Sequence, residues 1–428
     1  MQFLIHLTQK SLNGLIFGFF LLHVYTGLEK GSFITEQPFY INEVLSFYGL
    51  LLFIQNWRVF TTQNNLLIKS VIFLVLYGGI YVLYSFLFLK QGSLYEFLRT
   101  LPLWYSIFCF FLGCCLWSIY QKFKAMLPTL FSWLLAGSPM LLLSAERSAS
   151  AYLVLVKNWR AYDPVIIFFT FLLAGDATAK VCFIVYVLFV FLREKFIFFI
   201  SPIFLIFVSL FGLLFLNQFY DRYETVYYSG RTFPSPTVPG IYEANHGSYG
   251  DISNELLEDD NSIWRLLFWA YNWDRNISSD PLWGIGFGTP LFDGAQDTWY
   301  LWVVNEKRDP YFPYTLGLHN SFLTVLVRMG FVGFIPLLCI YFWLFSVFNN
   351  HPVLLKNRDI NALFIAFMLI TTVALFNVVL ESPRYAAMFW VILGLLYQSI
   401  LFHYPLQISS SSKGKFFVKH QHIEDQIQ

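Results

Sequence analysis

Apolar runs of membrane-crossing length recur along most of this chain and constrain it more than any motif does. A span needs roughly 18–20 apolar residues, because about 30 Å of hydrocarbon is crossed at about 1.5 Å per residue. In order, the runs are 11–28, 41–55, 67–89, 101–120, 126–143, 147–158, 163–175, 178–193, 196–216, 331–349, 361–380 and 386–403. Several are short, and the stretch 144–195 accommodates one fewer helix, or a broken pair, equally well. Composition agrees: 57% of residues are hydrophobic and 12% charged, against roughly 25% charged in soluble domains. The abundant Phe and Tyr suit lipid-facing surfaces and interfacial belts. Helices satisfy their own backbone groups in lipid. The expected fold is therefore all-α, a polytopic transmembrane helical bundle of about 12 spans, with one large extracytoplasmic loop carrying short helices.

Orientation follows from Lys and Arg in the short loops. One side carries Lys10, Arg58, Lys69, Lys122, Lys124, Lys157, Arg160, Arg193, Lys195, Lys356 and Arg358, and the tail adds Lys413, Lys415 and Lys419. The other side has Lys30, Lys90, Arg99, Arg147, Lys180 and Arg384. Both termini are thus expected in the cytoplasm, with the long loop outside. The division expected is an N-terminal bundle over 1–216, about 9 spans, then a large loop over 217–318. C-terminal membrane helices over 319–403 and a cytoplasmic tail over 404–428 complete the chain. No cleavable signal peptide is expected, because no small-residue cleavage site follows the apolar stretch Leu12 to Leu28.

Cys109, Cys114, Cys115, Cys182 and Cys339 all fall inside apolar runs without metal-ligand spacing, so neither a disulfide nor a zinc site is indicated. The five read as small apolar core residues. The net charge of +1 is split between two compartments and carries no nucleic-acid signal, and no nucleic-acid partner is expected. No metal and no cofactor are expected either.

The loop holds 14 of the 26 acidic residues against six Lys and Arg. Its first half, Tyr220 to Gly250, is rich in Tyr, Pro, Gly and Ser and reads as irregular. Helix-start residues at Asp259-Asp-Asn-Ser262 then precede Trp264, Leu267, Phe268 and Tyr271 at helical spacing, so 262–273 reads as a short amphipathic helix on the membrane face. Pro281 and the run Gly284-Ile-Gly-Phe-Gly288 end it. That run lacks the strand–turn–helix context of a dinucleotide loop. A tight turn with close backbone approach at Gly284, Gly286 and Gly288 fits better, and such a turn can expose N–H groups to a ligand. His319, next to Asn320, opens the following apolar helix. As a neutral imidazole it can take a proton from a sugar hydroxyl, or serve merely as an interfacial hydrogen-bonding group. Arg265 can pair with Glu258, Asp259 or Asp260, or reach an anionic ligand through its paired donors. Three polar clusters sit at the outer ends of spans: Glu146-Arg147, Asp176 with Lys180, and Glu381-Ser-Pro-Arg384. Charges there are costly and tend to be paired or functional.

The order Pro-x-x-Gly-x-Gly-x-Gly from Pro281, then His319-Asn320-x-x-Leu323 and Gly330-x-x-Gly333, resembles the C-terminal signature of the bacterial O-antigen ligase and O-antigen polymerase superfamily. The family's arginine ahead of the glycines is matched by Arg265, and its Glu-x-Pro before the last span by Glu381-Ser-Pro383. The specific part covers about 260–400, and the N-terminal half is similar only in layout. The family's Ser-Arg-Gly-like motif has no clear match. Its counterpart is either Ala174 to Lys180, with Lys180 as the cation, or Ser144-Ala-Glu-Arg147, with Arg147.

The resemblance implies a metal-independent, inverting glycosyltransferase at the outer face of the bacterial inner membrane. The donor would be a glycan on a polyprenyl diphosphate carrier, undecaprenyl diphosphate in type. The acceptor would be lipid A–core for a ligase, the favoured version, or another lipid-linked glycan for a polymerase; a protein acceptor is a third version. Arg265, with Arg147, Lys180 and Arg384, would bind the diphosphate, and His319 would orient or deprotonate the acceptor hydroxyl. The rival class is a transporter of lipid-linked glycans, against which the lack of an internal repeat and the one-sided loop both count.

Overall fold

The structure is a computed structural model that describes residues 12–18, 41–89, 94–123, 269, 272–291, 318–376 and 378–404. Among the described residues the chain is all-helical, with no strand. Six helices carry the architecture: α1 (Ile41–Gln55), α2 (Leu66–Phe88), α3 (Cys109–Phe123), α4 (Ser321–Asn350), α5 (Arg358–Phe376) and α6 (Pro383–His403). Shorter turns precede α3, at Leu94–Thr100, Pro102–Tyr105 and Ser106–Phe108. Four stretches are long and apolar enough to cross a membrane: Leu66–Phe88, Phe97–Lys122, Ser321–Asn350 and Tyr385–His403. Asp359–Leu375 is a shorter apolar helix.

Local chemistry sets the helix starts. Asn65 caps α2 by accepting the N–H of Ile68 at 3.0 Å, and Asn357 accepts from Asp359 and Ile360 at the head of α5. Pro383 takes the first position of α6, where a missing N–H costs nothing. The expected spans 41–55, 67–89, 101–120, 361–380 and 386–403 coincide with α1, α2, the Phe97–Lys122 stretch, α5 and α6 to within a few residues. The span expected at 331–349 begins ten residues earlier, at Ser321, and bends at Gly330. Of 11–28, residues 12–18 are described and helical. The runs between 126 and 216, the first half of the long loop and the C-terminal tail lie outside the described residues.

α6 packs along α3, α4 along α2, and α1 and α5 against these pairs. Lipid removes most of the hydrophobic drive for helix association, so close packing and interhelical polar contacts take over. Gly113 of α3 lies against the backbone of Val391, and Gly394 of α6 against that of Phe110, so a Cβ on either would strike the facing backbone. Polar side chains bridge helices in the same way. Asn42 donates to Ser106 at 2.9 Å, Asn65 to the Tyr397 hydroxyl at 2.8 Å, and Tyr341 and Thr371 share a hydrogen bond at 3.0 Å.

These contacts give the bundle two distinct ends. The start of α2 meets the end of α6 through Asn65 and Tyr397, and the end of α3 meets the start of α5 through Gln121 and Asp359. Lys69, Lys122 and Lys356 belong to that end. The opposite end holds the 281–291 segment, His319 and the 378–382 turn.

Substituting Gly394 by Leu should force α6 from α3 and cost about 1–3 kcal/mol or more. Thermal unfolding in detergent checks this, and the variant should melt well below the wild type. Ile400→Val, a small deletion in the same helix, should cost only about 0.5–1.5 kcal/mol and serves as the comparison.

Candidate functional site

The site end is built around a break in α4. Gly330 has φ +61 inside an otherwise continuous helix. A regular helix would bond the N–H groups of residues 331 and 332 to the carbonyls of 327 and 328. Here the segment 281–286 enters that ladder. Phe331 N–H donates to Pro281 O at 2.9 Å and Val332 N–H to Leu282 O at 3.2 Å, while Val327 O accepts from Ile285 N–H at 2.9 Å and Arg328 O from Gly286 N–H at 3.0 Å. Two orphan donors and two orphan acceptors are thereby satisfied. Leu282 backbone lies where a Cβ on Gly330 would fall, and Val327 carbonyl where one on Gly284 would fall. Both residues also have left-handed φ, so only glycine fits at either place.

The rest of the segment is tied down from α2 and the turns before α3. Tyr81 donates to Gly284 O at 2.7 Å, Ser85 Oγ accepts from Phe287 N–H at 3.1 Å, and Thr100 Oγ1 accepts from Gly288 N–H at 3.0 Å. Gly284 N–H donates to Asp280 O at 3.0 Å. Every N–H from Gly284 to Gly288 is therefore committed within the protein. The close backbone approach expected of these glycines is present, but their N–H groups do not form a cradle for a phosphate. Of the short helix expected over 262–273, only residues 269, 272 and 273 are described, and a π-turn runs over Trp273–Ile277.

Arg328 closes the arrangement. It is fully buried. Its Nη1 donates to Gly286 O at 3.0 Å and to Thr289 O. A buried guanidinium held by carbonyls costs far less than a bare one, and it locks the glycine segment to the helix.

Ahead of the first turn of α4 lies the seam that carries His319. This residue is half-buried and has φ +51, the left-handed region that non-glycine residues enter at a cost. Its neighbours hold it there. Upstream, Leu318 is buried. Its carbonyl accepts from Trp269 Nε1 at 2.5 Å, and its N–H donates to Thr324 Oγ1 at 3.3 Å. Downstream, Asn320 caps α4 by accepting from Leu323 N–H at 3.1 Å. Ser321 then joins α4 to the 378–382 turn: its hydroxyl accepts from Val379 and Leu380 N–H at 2.8 and 3.0 Å and donates to Glu381 Oε2 at 2.5 Å. Burial pushes the Glu381 carboxyl above its ordinary 4.5, and the hydroxyls of Ser321 and Thr324 and the charge of Arg328 offset this only in part.

Of the residues expected from the sequence, His319 and Asn320 are at the head of α4, Gly284 and Gly286 pack against α4 at its break, and Gly288 lies against Phe97 and Thr100. Arg384 lies in the first turn of α6, three residues after Glu381. Arg265, Arg147 and Lys180 lie outside the described residues. Ser321, Thr324 and Arg328 were given no role by sequence reasoning. Their signal was available, since spacings of three and four in an apolar helix put polar residues on one face. Among the described residues no group of three or more His, Cys, Asp or Glu is arranged to hold a metal ion.

Residues 164–339 match the family model described as O-antigen ligase. The match supports the O-antigen ligase/polymerase superfamily for this chain and suggests ligase- or polymerase-type function in a multi-pass membrane protein. It spans Lys180, Arg265, the glycine segment, His319 and Arg328, and it stops short of Glu381 and Arg384. No curated protein matches the chain.

Two outcomes test this site. Arg328→Met leaves the Gly286 and Thr289 carbonyls without their donor, and should cost ~2–5 kcal/mol in detergent unfolding, with Arg328→Lys recovering part of it. For Glu381, the folded-state value lies above the unfolded one, so the protonated carboxyl stabilises the fold. That contribution is full below pH 4.5 and is lost as pH rises through the raised value. Melting temperatures measured across this range should fall with pH in the wild type relative to Glu381→Gln.

Proposed function

We propose that the chain is a membrane glycosyltransferase of the O-antigen ligase type. It transfers a glycan from a polyprenyl diphosphate carrier to a hydroxyl of lipid A–core at the outer face of the inner membrane. His319 carries the reading. It falls within the matched family segment, it opens a helix at the bundle end opposite Lys69, Lys122 and Lys356, and its backbone is held in a costly conformation by its neighbours. Such strain is retained where geometry matters to function.

In the proposed reaction the acceptor oxygen attacks the anomeric carbon from the face opposite the diphosphate. The new C–O bond forms as the bond to the diphosphate oxygen breaks, and the configuration inverts. The proton passes from the acceptor hydroxyl to the His319 imidazole, and the polyprenyl diphosphate departs with the bonding electrons. Arg265 and Arg384, with Arg147 or Lys180, offset the charge of the diphosphate, a task that requires no metal ion. The acidic, aromatic loop suits stacking and hydrogen bonding of sugar rings. The positive-inside pattern of the short loops supports cytoplasmic termini and an external loop.

The test is surface polysaccharide from a strain whose copy carries His319→Ala, resolved by gel beside lipid A–core and the lipid-linked intermediates. Loss of a general base should slow transfer roughly 10²–10⁴-fold. Full-length polymer stranded on the carrier with bare core supports the ligase. Core bearing a single repeat unit makes the chain a polymerase. Unchanged polysaccharide with unchanged intermediates removes the proposal.

A further inference from the structure

The strain at His319 requires explanation by its surroundings. A left-handed non-glycine residue persists only where flanking contacts over-determine it. Leu318 is held through Trp269 and Thr324, and Asn320 through its cap. These contacts are local to the seam or come from the segment before the glycines. A further anchor comes from the far side. Ser321 is fully buried, and its one hydroxyl binds two backbone N–H groups and one carboxyl of the turn between α5 and α6. The carboxyl, on Glu381, is 60 residues away in the chain. Ser321 and Glu381 thus tie the first turn of α4 to the turn at the head of α6.

We infer that Glu381, acting through Ser321, is a positioning residue for His319 in the proposed transfer. It fixes where the first turn of α4 sits relative to the head of α6, and so where the imidazole meets the acceptor hydroxyl. The inference rests on the function proposed above, and it assigns a role to a residue outside the matched family segment. Three features carry it. Glu381 is nine-tenths buried, at 9% exposure, where a carboxyl with no task would be selected against on cost. Its Oε2 takes the Ser321 hydroxyl, and its other oxygen, Oε1, is buried without a hydrogen-bond partner among the described residues. Ser321 and His319 are two residues apart on the same pinned seam, so a shift of one moves the other.

Positioning and fold maintenance have separable signatures. A misplacement of about 1 Å near reacting atoms costs as much as 10²-fold in rate. A purely structural role lowers the amount of folded protein and leaves the rate per folded molecule intact. The experiment uses the full-length protein reconstituted in vesicles, with extracted undecaprenyl diphosphate-linked glycan as donor and purified lipid A–core as acceptor. Wild type, His319→Ala, Ser321→Ala, Glu381→Ala and Glu381→Gln are compared at matched amounts of folded protein, judged by melting in detergent. The expected result is a kcat lowered roughly 10- to 100-fold in Ser321→Ala and Glu381→Ala with the KM for donor little changed. Glu381→Gln, which keeps an acceptor oxygen for Ser321, should recover most of that kcat. If Glu381→Ala does not fold, Ser321→Ala, which deletes one hydroxyl, carries the test alone. Wild-type kcat in Ser321→Ala, with transfer abolished by His319→Ala, overturns the positioning role and leaves the function standing. Transfer that survives His319→Ala undiminished overturns the proposed function, and the positioning role with it.

Discussion

The break in α4 at Gly330 is the constraint on which the site end depends. Helices cross lipid because they satisfy their own backbone groups, and a kink forfeits part of that. Here the segment 281–286 supplies the missing partners, two donors and two acceptors, by direct backbone pairing. The exchange requires the chains to approach closer than any Cβ permits, which is why Gly284 faces Val327 and Gly330 faces Leu282. Tyr77 adds a further bond to the Met329 carbonyl at 3.0 Å. The glycines therefore complete a helix. They are not available to bind a diphosphate through their N–H groups, and on the proposed reading that work falls to cationic side chains.

The kink also explains how a fully buried arginine is tolerated. A guanidinium far from water needs acceptors in fixed places. The inserted segment provides them at Gly286 and Thr289, and the Glu381 carboxyl lies within range of its charge. The same helix then carries Arg328, Thr324 and Ser321 on one face, each engaged by chain that is distant in sequence or by the seam itself. Polar groups that would be a liability in an apolar helix become the means of joining three parts of the chain. His319 sits at the point where those ties converge, held by Trp269 from one side and, through Ser321, by the 378–382 turn from the other.

The relation between residue pattern and structure differs by element. α1, α2 and α6 are plain apolar runs, and their limits follow from hydropathy, with Asn65 and Pro383 at the starts of α2 and α6. Hydropathy marked the apolar span of α4 only from residue 331 onward, although the motif order placed the helix opening at His319. Ser321, Thr324, Arg328 and Gly330 interrupt the apolar run, and each of them in isolation argues for a loop. Arg328 finds Gly286 at 42 residues' distance and Ser321 finds Glu381 at 60, and no local pattern records such pairings. Tyr81, Ser85 and Thr100 were invisible for the same reason: each looks like an ordinary helix residue until the glycine segment is laid against it.

Hydropathy alone was sufficient to read the described residues as helices, four stretches of which are long and apolar enough to cross a membrane, because bilayer thickness and backbone satisfaction admit few solutions. Motif order was sufficient to raise the superfamily that the match over 164–339 supports, with His319 as its candidate residue. The use to which the glycines are put, the burial of Arg328 and the tie from Ser321 to Glu381 needed three-dimensional packing. Each depends on which backbone groups are left unpaired once helices have been placed, and that is a property of the assembled bundle rather than of any stretch of residues.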